Sequence, residues 1–475
     1  MKLPSHKTRI VCTIGPASRD QAVMERLIGA GMDIARINFS HDDLDTHART
    51  IAALRLAGQA SGRRITIMAD LPGPKMRIGE LAAEPVELHP GARFTLTADD
   101  VTGDETRASV SFRTLPQAVK EGDTLFLNDG LIQLKVTGVT GREVFCDVVA
   151  GGELWSRKGL NLPGIDLGIS AFTERDHECL RFAAAHGIDA LCQSFVVTGD
   201  DVRAVREAAA EIGYHPFVIA KIERAGALTH LDEILRASDG IMIARGDLGV
   251  EIPIERMAVV QKQVMHAAVV LGRPVITATQ MLESMTANKR PTRAESTDVA
   301  NAVLDGMDCV MVSAESAMGR YPVEATAMLG RIAAATEPFG PGYRLRERLR
   351  EVLDAKTSGM SDLVVLGIET ALRHVSPAAV FVPTLSGATA RSIARFRPPT
   401  WIVAVCPDEA VCRRLMFSSG VFPVFEPDYP DDWKAYGRDW LERHEMDGDV
   451  IILAEGPSPK NPQASHRMEI IDLKA

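Results

Sequence analysis

The sequence lacks the features of a membrane, secreted or nucleic-acid-binding protein. No apolar run approaches the roughly 18 residues that a membrane-spanning helix needs, and the first residues contain no apolar signal core. Acidic side chains outnumber basic ones by 63 to 53, and the resulting net charge of -10 has the wrong sign for neutralising nucleic acid phosphates. We therefore expect a cytoplasmic protein whose partners include neither nucleic acid nor a membrane.

Cysteine pairs and the common nucleotide-binding loops are also missing. The seven cysteines are an odd number without a Cys-x-x-Cys pair, so neither a disulfide framework nor a zinc cluster is indicated. The chain has no Walker loop, no protein-kinase loop and no Gly-x-Gly-x-x-Gly turn, so any nucleotide must bind in another way. Its 475 residues and 46% hydrophobic composition predict a globular protein of about three domains.

Eight short apolar or β-branched runs alternate with longer Ala-rich amphipathic stretches. All but one of the separations between consecutive runs are about 24 to 35 residues, which fits a strand, a helix and two loops. Eight such units predict an α/β fold of the (β/α)8 TIM barrel type; a doubly wound open sheet is the alternative, because strand closure cannot be read from sequence. The runs begin near Ile10, Ile34, Ile65, Ala190, Phe217, Ile241, Pro274 and Cys309.

The one long separation, after the third run, predicts an inserted domain. Its segments alternate apolar and polar residues, and Asn128, Asp129 and Gly130 supply a turn, which together indicate a small all-β module. On a loop at the end of a barrel strand, this module would cover the active-site face as a lid. The predicted domains are a catalytic barrel at residues 1–70 and 169–340, the lid at residues 71–168 and a C-terminal α/β regulatory domain at residues 341–475.

Polar side chains cluster at the predicted C-terminal ends of the barrel strands, where barrel active sites lie. The mixture of cations and carboxylates predicts a site for a metal ion and an anionic substrate, since oxygen ligands hold Mg2+ and Arg or Lys holds phosphate. No His or Cys cluster in the sequence competes for a transition metal. These strand-end residues are Arg36, Asn38, Ser40, His41, Asp70, Lys75, Arg77, Lys221, Glu223, Arg245, Gly246, Asp247, Thr279, Gln280, Ser313 and Glu315.

Each of these features also has a purely structural interpretation. Lys221 and Glu223 lie two residues apart on one face of a strand and could form only an ion pair. Asp247 could cap a helix, Thr279 could bond to the main chain, and His41 is most simply a surface or capping histidine. Polar residues recur at corresponding positions of successive βα units, however, and this recurrence favours one common site.

Several sequence blocks resemble the signatures of the pyruvate kinase family. The resemblance covers the predicted barrel and lid closely and the C-terminal domain more loosely. It implies the three-domain architecture above and phosphoryl transfer from phosphoenolpyruvate to ADP, which gives pyruvate and ATP. The blocks are TRIVCTIGPAS at residues 8–18, ARINFSH at 35–41, KGLNLPG at 158–164, KIE at 221–223, IARGDLGVEIP at 243–253, ATQMLESM at 278–285 and RPTRAESTDVANA at 290–302.

The resemblance also implies roles for individual residues. Glu223 and Asp247 would hold Mg2+ or Mn2+. Lys221 and Arg36 would contact the transferring phosphoryl group, and Thr279 would lie on the route of the proton that reaches the enolate. The implied catalytic residues are Lys221, Arg36, Arg77 and Thr279; substrate would contact Arg36, Lys221, Gly246, Asp247 and Thr279; and the nucleotide would contact Asn38, His41, Arg77 and Lys158.

Two departures from the common family pattern concern a monovalent cation. Many members hold K+ with residues that match Asn38, Ser40 and Asp70. A further Thr ligand of those members is Leu71 here, and a Glu of those members is Lys75. The ammonium group of Lys75 would supply the missing positive charge, so we expect activity without K+. The alternative is that Lys75 is a solvated loop charge.

A loop in the C-terminal domain is a candidate effector site. The sequence TLSGATA at residues 384–390 follows a predicted strand and resembles the sugar-phosphate effector loop of the family. Thr384, Ser386 and Thr389 would bind a phosphate of a sugar-phosphate or nucleotide effector, or would only cap a helix. The tail at residues 457–462 departs from the family pattern, so the identity of the effector stays open.

Two other functions and one assembly state complete the expectations. A metal-dependent lyase or aldolase acting on pyruvate enolate could use the same barrel without ADP. A catalytically silent metabolite sensor is the alternative from a different class of protein. Because the family is usually homotetrameric, we also expect a homotetramer.

Overall fold

The computed structural model describes residues 3–165, 168–340, 347, 349–351, 360–456 and 465–474. Eight parallel strands form a closed barrel, which confirms the predicted barrel and rules out the open sheet. Each strand begins within one residue of its predicted start, because each is a buried, mostly β-branched or apolar run. The barrel strands are β1 (Arg9–Thr13), β2 (Ile34–Asn38), β3 (Thr66–Asp70), β12 (Ala190–Gln193), β13 (Phe217–Ile222), β14 (Gly240–Ala244), β15 (Val275–Ala278) and β16 (Cys309–Val312).

Helices surround the barrel, and several begin at a capping residue that the sequence supplies. Thr173 and Thr292 form reciprocal capping boxes with Asp176 and Glu295, which satisfy main-chain donors at two helix starts. The helices of the barrel are α1 (Gln21–Gly29), α2 (Leu44–Ala60), α4 (Glu174–Ala185), α5 (Gly199–Glu211), α6 (Ala225–Thr229), α7 (Leu231–Ala237), α8 (Arg245–Glu251), α9 (Met257–Val270), α10 (Arg293–Asp305), α11 (Ala314–Ala317) and α12 (Pro322–Thr336). Short 3-10 helices span Ile254–Arg256, Glu283–Thr286 and Glu337–Phe339.

The insertion after β3 is a β-rich module with an apolar core of its own, as predicted. Six of its strands form one sheet in the order β11-β7-β8-β9-β5-β6, and β10 pairs with β4. The predicted turn joins β7 to β8, and Asn128, Asp129 and Gly130 all have positive φ there. The elements of the lid are β4 (Val86–Leu88), β5 (Arg93–Thr97), β6 (Arg107–Ser109), α3 (Leu115–Ala118), β7 (Thr124–Leu127), β8 (Ile132–Thr140), β9 (Glu143–Ala150), β10 (Gly152–Leu154) and β11 (Leu160–Asn161).

The C-terminal domain is a five-stranded α/β sheet in the order β19-β18-β17-β20-β21. Four of its strands are parallel and were predicted, whereas β21 is an antiparallel edge strand that was not. Its elements are α13 (Met360–Ala371), β17 (Ala379–Pro383), α14 (Ala388–Ala394), β18 (Trp401–Cys406), α15 (Glu409–Leu415), β19 (Val421–Phe425), α16 (Trp433–Arg443), β20 (Val450–Glu455) and β21 (Arg467–Asp472). The domain boundaries stay predictions, since residues 166–167 and 341–346 lie outside the described part.

The C-terminal domain packs against the end of the barrel where the strands begin. The rings of Phe217 and Phe417 stack with their centroids 4.9 Å apart. The hydroxyl of Thr66 donates to the carbonyl of Arg413 at 2.8 Å. This packing leaves the opposite end of the barrel, where the strands finish, to the lid.

Two further predictions concern cysteines and membranes. All seven cysteines are buried and unpaired, as expected for a chain without a disulfide framework. Within the described ranges, no helix is both long enough and apolar enough to cross a membrane.

Candidate active site

The strand register brings the predicted site residues to one end of the barrel. Asn38 at the end of β2 lies beside Asp70 at the end of β3, and Asp70 in turn lies beside Cys192 of β12. Lys221 near the end of β13 pairs with Met242 of β14. Because the strands are parallel, their carboxyl ends open on the same face. The polar residues that follow them therefore surround one cavity mouth.

Lys221 is at the centre of a buried network of charged groups. Its Nζ atom donates to Ser194 Oγ at 2.7 Å and lies 3.1 Å from Glu223 Oε2 and 3.3 Å from Asp70 Oδ1. Its side chain is only 12% exposed, and both carboxylates are 2% exposed. An ammonium group is thus held at the end of β13 with two carboxylates around it.

Arg36 contacts the same carboxylate from the other side. Its Nε and terminal nitrogen donate to Asp70 Oδ2 at 2.8 and 2.5 Å, and its other terminal nitrogen donates to Thr13 Oγ1 at 3.0 Å. A forked guanidinium–carboxylate contact of this kind fixes orientation as well as charge. Asp70 therefore positions two cations, Arg36 and Lys221, side by side.

The charges in this network determine which groups are ionised. Burial alone would raise the pKa of Asp70, but Lys221 and Arg36 bring it below its ordinary value. Burial would lower the pKa of Lys221, but Asp70, Glu223 and Asp247 together raise it above its ordinary value. Asp70 is thus a carboxylate and Lys221 an ammonium ion at neutral pH.

The two oxygens of Glu223 have different partners. Its Oε1 accepts a hydrogen bond from the Phe195 amide at 2.6 Å, whereas its buried Oε2 accepts no hydrogen bond from the described residues and lies 3.1 Å from the Lys221 ammonium group. Burial raises the pKa of Glu223; Lys221 opposes the rise and the charge of Asp247 adds to it. Two nearby carboxylates suit a cation that prefers oxygen ligands.

The carboxylate oxygens of Glu223 and Asp247 fit Mg2+ or Mn2+ better than a metal ion whose ligands all come from the protein. In the part of the chain that the structure describes, no group of three or more His, Cys, Asp or Glu side chains is arranged around a common metal position. Mg2+ typically binds one or two carboxylates and takes its remaining ligands from water and substrate oxygens. Glu223 and Asp247 satisfy that requirement.

The segment after β14 and the segment after β15 form a small polar cradle. The amide of Gly246 donates to Thr279 Oγ1 at 2.8 Å. The side chain of Arg245 donates to the carbonyl of Thr279 at 2.8 Å and pairs with Asp298 at 2.6 Å. Thr279 has a φ of +67°, an unusual value for a branched residue, so its neighbours hold it in place. The structure thus brings Gly246, Asp247 and Thr279 together, as the sequence predicted.

A second group of cations lies on the lid side of the site. Burial lowers the pKa of His41, and the charges of Lys75, Arg77 and Arg36 lower it further, which places these groups near one another. Arg77 forms a β-bridge with Gly159, so it lies next to Lys158 on the returning strand of the lid. His41, Lys75, Arg77 and Lys158 therefore border the opening between barrel and lid.

The predicted cation ligands lie where β2 and β3 end. Asn38 Oδ1 accepts the amide of Ser40 at 3.1 Å, and Asn38 lies beside Asp70 in the sheet. Leu71, at the position of the missing hydroxyl, is 1% exposed and belongs to the apolar core. No hydroxyl group is present at this position of the site.

Some polar residues serve the site in ways that the sequence did not reveal. Ser194 follows β12, accepts a hydrogen bond from Lys221 and lies 3.2 Å from Asp70 Oδ1. Its neighbour Phe195 has a φ of +59° and directs its amide at Glu223. By contrast, Glu315 is occupied by the amides of Leu282 and Ser313 and supports the loops.

The predicted effector residues lie in the C-terminal domain, away from this site. Thr384 Oγ1 accepts the amide of Gly387 at 2.9 Å, and Ser386 Oγ accepts the amide of Ala388 at 3.4 Å. The N-cap of α14 is Gly387, and no described side chain forms a capping hydrogen bond there, so these bonds order the loop rather than cap the helix. Thr389 lies in the first turn of α14 and is partly buried. Residues 457–462, the tail that departs from the family pattern, lie outside the described residues.

Comparison with protein families shows which family has this arrangement of domains. The model of the barrel domain of pyruvate kinase matches residues 5–326, and that of its alpha/beta domain matches residues 362–471. The chain belongs to the pyruvate kinase family. Membership implies an enzyme that uses a divalent metal ion, with phosphoenolpyruvate and ADP as the substrates of the family.

Individual pyruvate kinases are similar over nearly the whole chain. The enzyme from Thermococcus litoralis is 48% identical over 427 residues, which cover 89% of each chain. The enzyme from Clostridium acetobutylicum is 38% identical and covers 95% of this chain and 96% of its own length. A crystal structure of a pyruvate kinase from Cryptosporidium parvum superposes with a TM-score of 0.92 at 34% identity, covering 99% of this chain and 96% of that one.

Proposed function

We propose that this enzyme transfers the phosphoryl group of phosphoenolpyruvate to ADP, giving pyruvate and ATP, with Mg2+ or Mn2+. The observation that carries the proposal is the pair of cations, Arg36 and Lys221, held on Asp70 beside the carboxylate of Glu223. Such an arrangement attracts a trianionic substrate and orients its phosphoryl group. Catalysis of phosphoryl transfer depends mainly on positioning and charge stabilisation, which these residues supply.

Substrate binding divides between the two halves of the site. Arg36 and Lys221 hold the phosphoryl oxygens. Arg36 uses three of its five N–H donors on Asp70 and Thr13, which leaves two for the substrate, and Lys221 adds a positive charge beside it. The main chain around Gly246 and Asp247, with Thr279, binds the carboxylate at the other end of the small substrate. Without substrate, the Gly246 amide donates to Thr279 Oγ1 at 2.8 Å, and a substrate oxygen would replace that acceptor. Asn38, His41, Arg77 and Lys158, on the lid side, contact the phosphates of the nucleotide.

The metal ion would be held by Glu223 and Asp247 at the ends of β13 and β14. When bound, it neutralises oxygens of the transferring phosphoryl group and of the enolate that remains. Lys221 adds a fixed positive charge at the same place, and its raised pKa keeps it protonated throughout. The enolate is then protonated on carbon, by a proton that passes the hydroxyl of Thr279.

An assay of the purified full chain separates this function from its alternatives. With Mg2+, phosphoenolpyruvate and ADP, we expect ATP and pyruvate to form in equal amounts. A lyase or aldolase would need no ADP. It would be indicated if, in the absence of ADP, the enzyme consumed phosphoenolpyruvate or released pyruvate from a larger substrate. Substrate binding without any turnover would indicate a metabolite sensor.

We further propose that the activity does not require K+. Lys75 is exposed, but its surroundings still lower its pKa: partial desolvation and the charge of Arg77 lower it, and the carboxylate of Asp247 opposes both. This environment supports a tethered ammonium close to the metal-binding carboxylates rather than a distant solvated charge. Leu71 in place of a hydroxyl residue removes one ligand that a potassium site would need.

The potassium proposal predicts full turnover in tetramethylammonium buffer free of Na+ and K+, with saturating Mg2+. Addition of KCl is expected to change kcat by less than about twofold, whereas strong activation would contradict the proposal. Lys75→Glu is expected to lower the K+-free activity and to create a response to K+ at Asn38, Ser40 and Asp70. Lys120→Glu, which changes an exposed lysine of the lid in the same way, is the matched control.

The effector and the assembly state are separate proposals. A phosphorylated effector is proposed for the loop of Thr384, Ser386 and Thr389, on its resemblance to the effector loop of the family. Titration with fructose 1,6-bisphosphate, ribose 5-phosphate, glucose 6-phosphate and AMP tests it, and no change in the affinity for phosphoenolpyruvate would remove it.

A homotetramer predicts a mass in solution of four 51.4 kDa chains, which light scattering measures directly.

A further inference from the structure

A small polar cavity lies at the end of the barrel opposite the active site, against the C-terminal domain. Its volume is about 180 Å3. The barrel contributes the segment that leads into β13 and the residue before β14, and the C-terminal domain contributes parts of α14 and α15. The side chains of this arginine cavity that can carry charge are Arg206, His215, Asp239, Arg391 and Arg414.

The guanidinium groups of Arg391 and Arg414 each form one hydrogen bond within the described part of the chain. Arg391 donates to the carbonyl of Ser386 at 3.1 Å, and Arg414 donates to the carbonyl of His215. Among the described residues, no carboxylate forms an ion pair with either guanidinium. Each guanidinium has five N–H donors, so most of them are available to a ligand. Burial lowers the pKa of Arg391, the charge of Asp239 opposes this, and the charges of Arg273 and Arg414 lower the pKa further.

The one carboxylate of the cavity is already engaged. Asp239 pairs with Arg206 at 2.7 Å and accepts the amide of Val218 at 2.9 Å. Three arginines therefore face a single acidic group, in a chain whose net charge is -10. Arg391 and Arg414 are half-buried, and an anion in the cavity would balance the excess of positive charge there. The planar guanidinium fork matches the oxygens of a phosphate group in particular.

We infer that the arginine cavity binds the phosphate group of a small phosphorylated metabolite, or free phosphate. Its volume is below the roughly 300 to 1,000 Å3 of clefts that enclose drug-sized ligands, so it suits a phosphate on a short hydroxylated carbon chain. This site differs from the hydroxyl loop proposed above, because Ser386 turns its carbonyl, not its hydroxyl, towards Arg391. The anion would lie between barrel and C-terminal domain.

The position of the cavity indicates how a bound anion would affect the active site. β13 begins at the cavity and ends at Lys221, and β14 begins beside Asp239 and leads to Asp247. An anion that bridges the two domains would thus act on the starts of the strands that carry catalytic groups. This consequence rests on the proposed function, whereas binding itself does not.

Calorimetric titration of the full chain with inorganic phosphate, ribose 5-phosphate and ribose tests the site. Phosphate and its ester are expected to bind, and ribose is not. Arg391→Gln and Arg414→Gln are each expected to weaken binding by about tenfold or more, as for loss of a charge-assisted hydrogen bond. Arg331→Gln, at an exposed position of α12, is the matched control and is expected to bind like the wild type. If ribose 5-phosphate binds more tightly than inorganic phosphate, the ligand is a phosphate ester. If the two bind equally, the sugar adds nothing and the ligand is phosphate.

Two more variants distinguish this cavity from the other phosphate-binding positions. Arg36→Gln alters the active site and Thr389→Ala alters the hydroxyl loop, and both are expected to keep the binding that Arg391→Gln loses. Unchanged binding in both cavity variants, or loss in Arg36→Gln or Thr389→Ala alone, would overturn the inference. In steady-state assays the ligand is expected to shift the KM for phosphoenolpyruvate of the wild type and not of Arg391→Gln. Binding without that shift would overturn the regulatory consequence alone.

Discussion

Ser194 joins the two halves of the charged network through one hydroxyl group. It accepts a hydrogen bond from Lys221 at 2.7 Å and donates to the carbonyl of Leu71 at 2.7 Å. Because Lys221 carries four rotatable bonds, this contact and the two carboxylates decide where its ammonium group points. Ser194 is therefore a positioning residue that acts through Lys221.

Ser194→Ala is expected to lower kcat by about ten- to a hundredfold, the range for loss of one hydrogen bond to a charged group. The KM for ADP should change little, since the nucleotide contacts lie on the lid side. Steady-state kinetics with both substrates measures the two effects. Ser238→Ala, which removes a buried hydroxyl without a hydrogen-bond partner, is the matched control. An equal loss of activity in both variants would contradict the role of Ser194.

At the level of single residues, the sequence predicted those that follow barrel strands within recognisable motifs. Lys221, Glu223 and Thr279 are such residues, and the structure places them at the predicted end of the barrel. Ser194 was missed because a polar residue after a buried strand carries no signal of its own. Its meaning depends on Lys221, which is 27 residues further along the chain.

The lid is held against the barrel by a buried pair of charged residues. Arg224, directly after Glu223, donates to the carbonyl of Ile165 at 3.0 Å on the returning segment of the lid. Its Nε lies 3.4 Å from Glu251 Oε2 at the end of α8. Burial raises the pKa of Glu251, and Arg224 opposes that rise. One guanidinium thus connects the lid to both elements that carry the proposed metal ligands, Glu223 and Asp247.

Arg224→Met is expected to loosen the lid without removing a substrate contact. We expect the KM for ADP to rise about tenfold, since one charge-assisted hydrogen bond to the lid is lost. Hydrogen exchange at residues 160–165 should become faster. Arg236→Met, on α7 of the same unit, changes an exposed arginine and is the control. Exchange rates and KM equal to those of the wild type would show that the contact does not hold the lid.

At the level of elements, buried strands were predictable and exposed ones were not. The strands of the barrel are short apolar runs, so their positions follow from sequence. β21 is mostly exposed along Arg467–Asp472 and forms the antiparallel edge of its sheet, so it has no apolar run to reveal it. The contacts of Arg224 could not be predicted either, because they depend on how the lid folds back.

At the scale of the whole molecule, a buried ion pair joins the barrel to the C-terminal domain. Asp308, before β16, pairs with Arg397 at 2.9 Å and accepts the amide of Ser419 at 3.0 Å. The two side chains are 6% and 11% exposed, so solvent screens them little. The pair fixes the C-terminal domain on the end of the barrel that also holds the arginine cavity.

Asp308→Ala is expected to lower the free energy of unfolding by about 3 to 5 kcal/mol, because it removes the carboxylate that balances the charge of a buried guanidinium. Asp305→Ala removes a carboxylate whose partner, Lys262, is 52% exposed, and is expected to cost about 1 kcal/mol or less. Denaturant unfolding of both variants measures the difference. Equal destabilisation would contradict the importance of the interdomain pair.

Lys221 and the carboxylates around it are proposed to serve phosphoryl transfer rather than only the stability of the barrel. The most direct measurement compares ATP formation from phosphoenolpyruvate and ADP by the wild type and by Lys221→Met, with Lys120→Met as control. We predict a loss of at least about 1,000-fold in kcat for Lys221→Met, as for removal of a group that stabilises transition-state charge. Binding of Mn2+ and phosphoenolpyruvate should stay measurable. Turnover like that of the wild type in Lys221→Met would contradict the account.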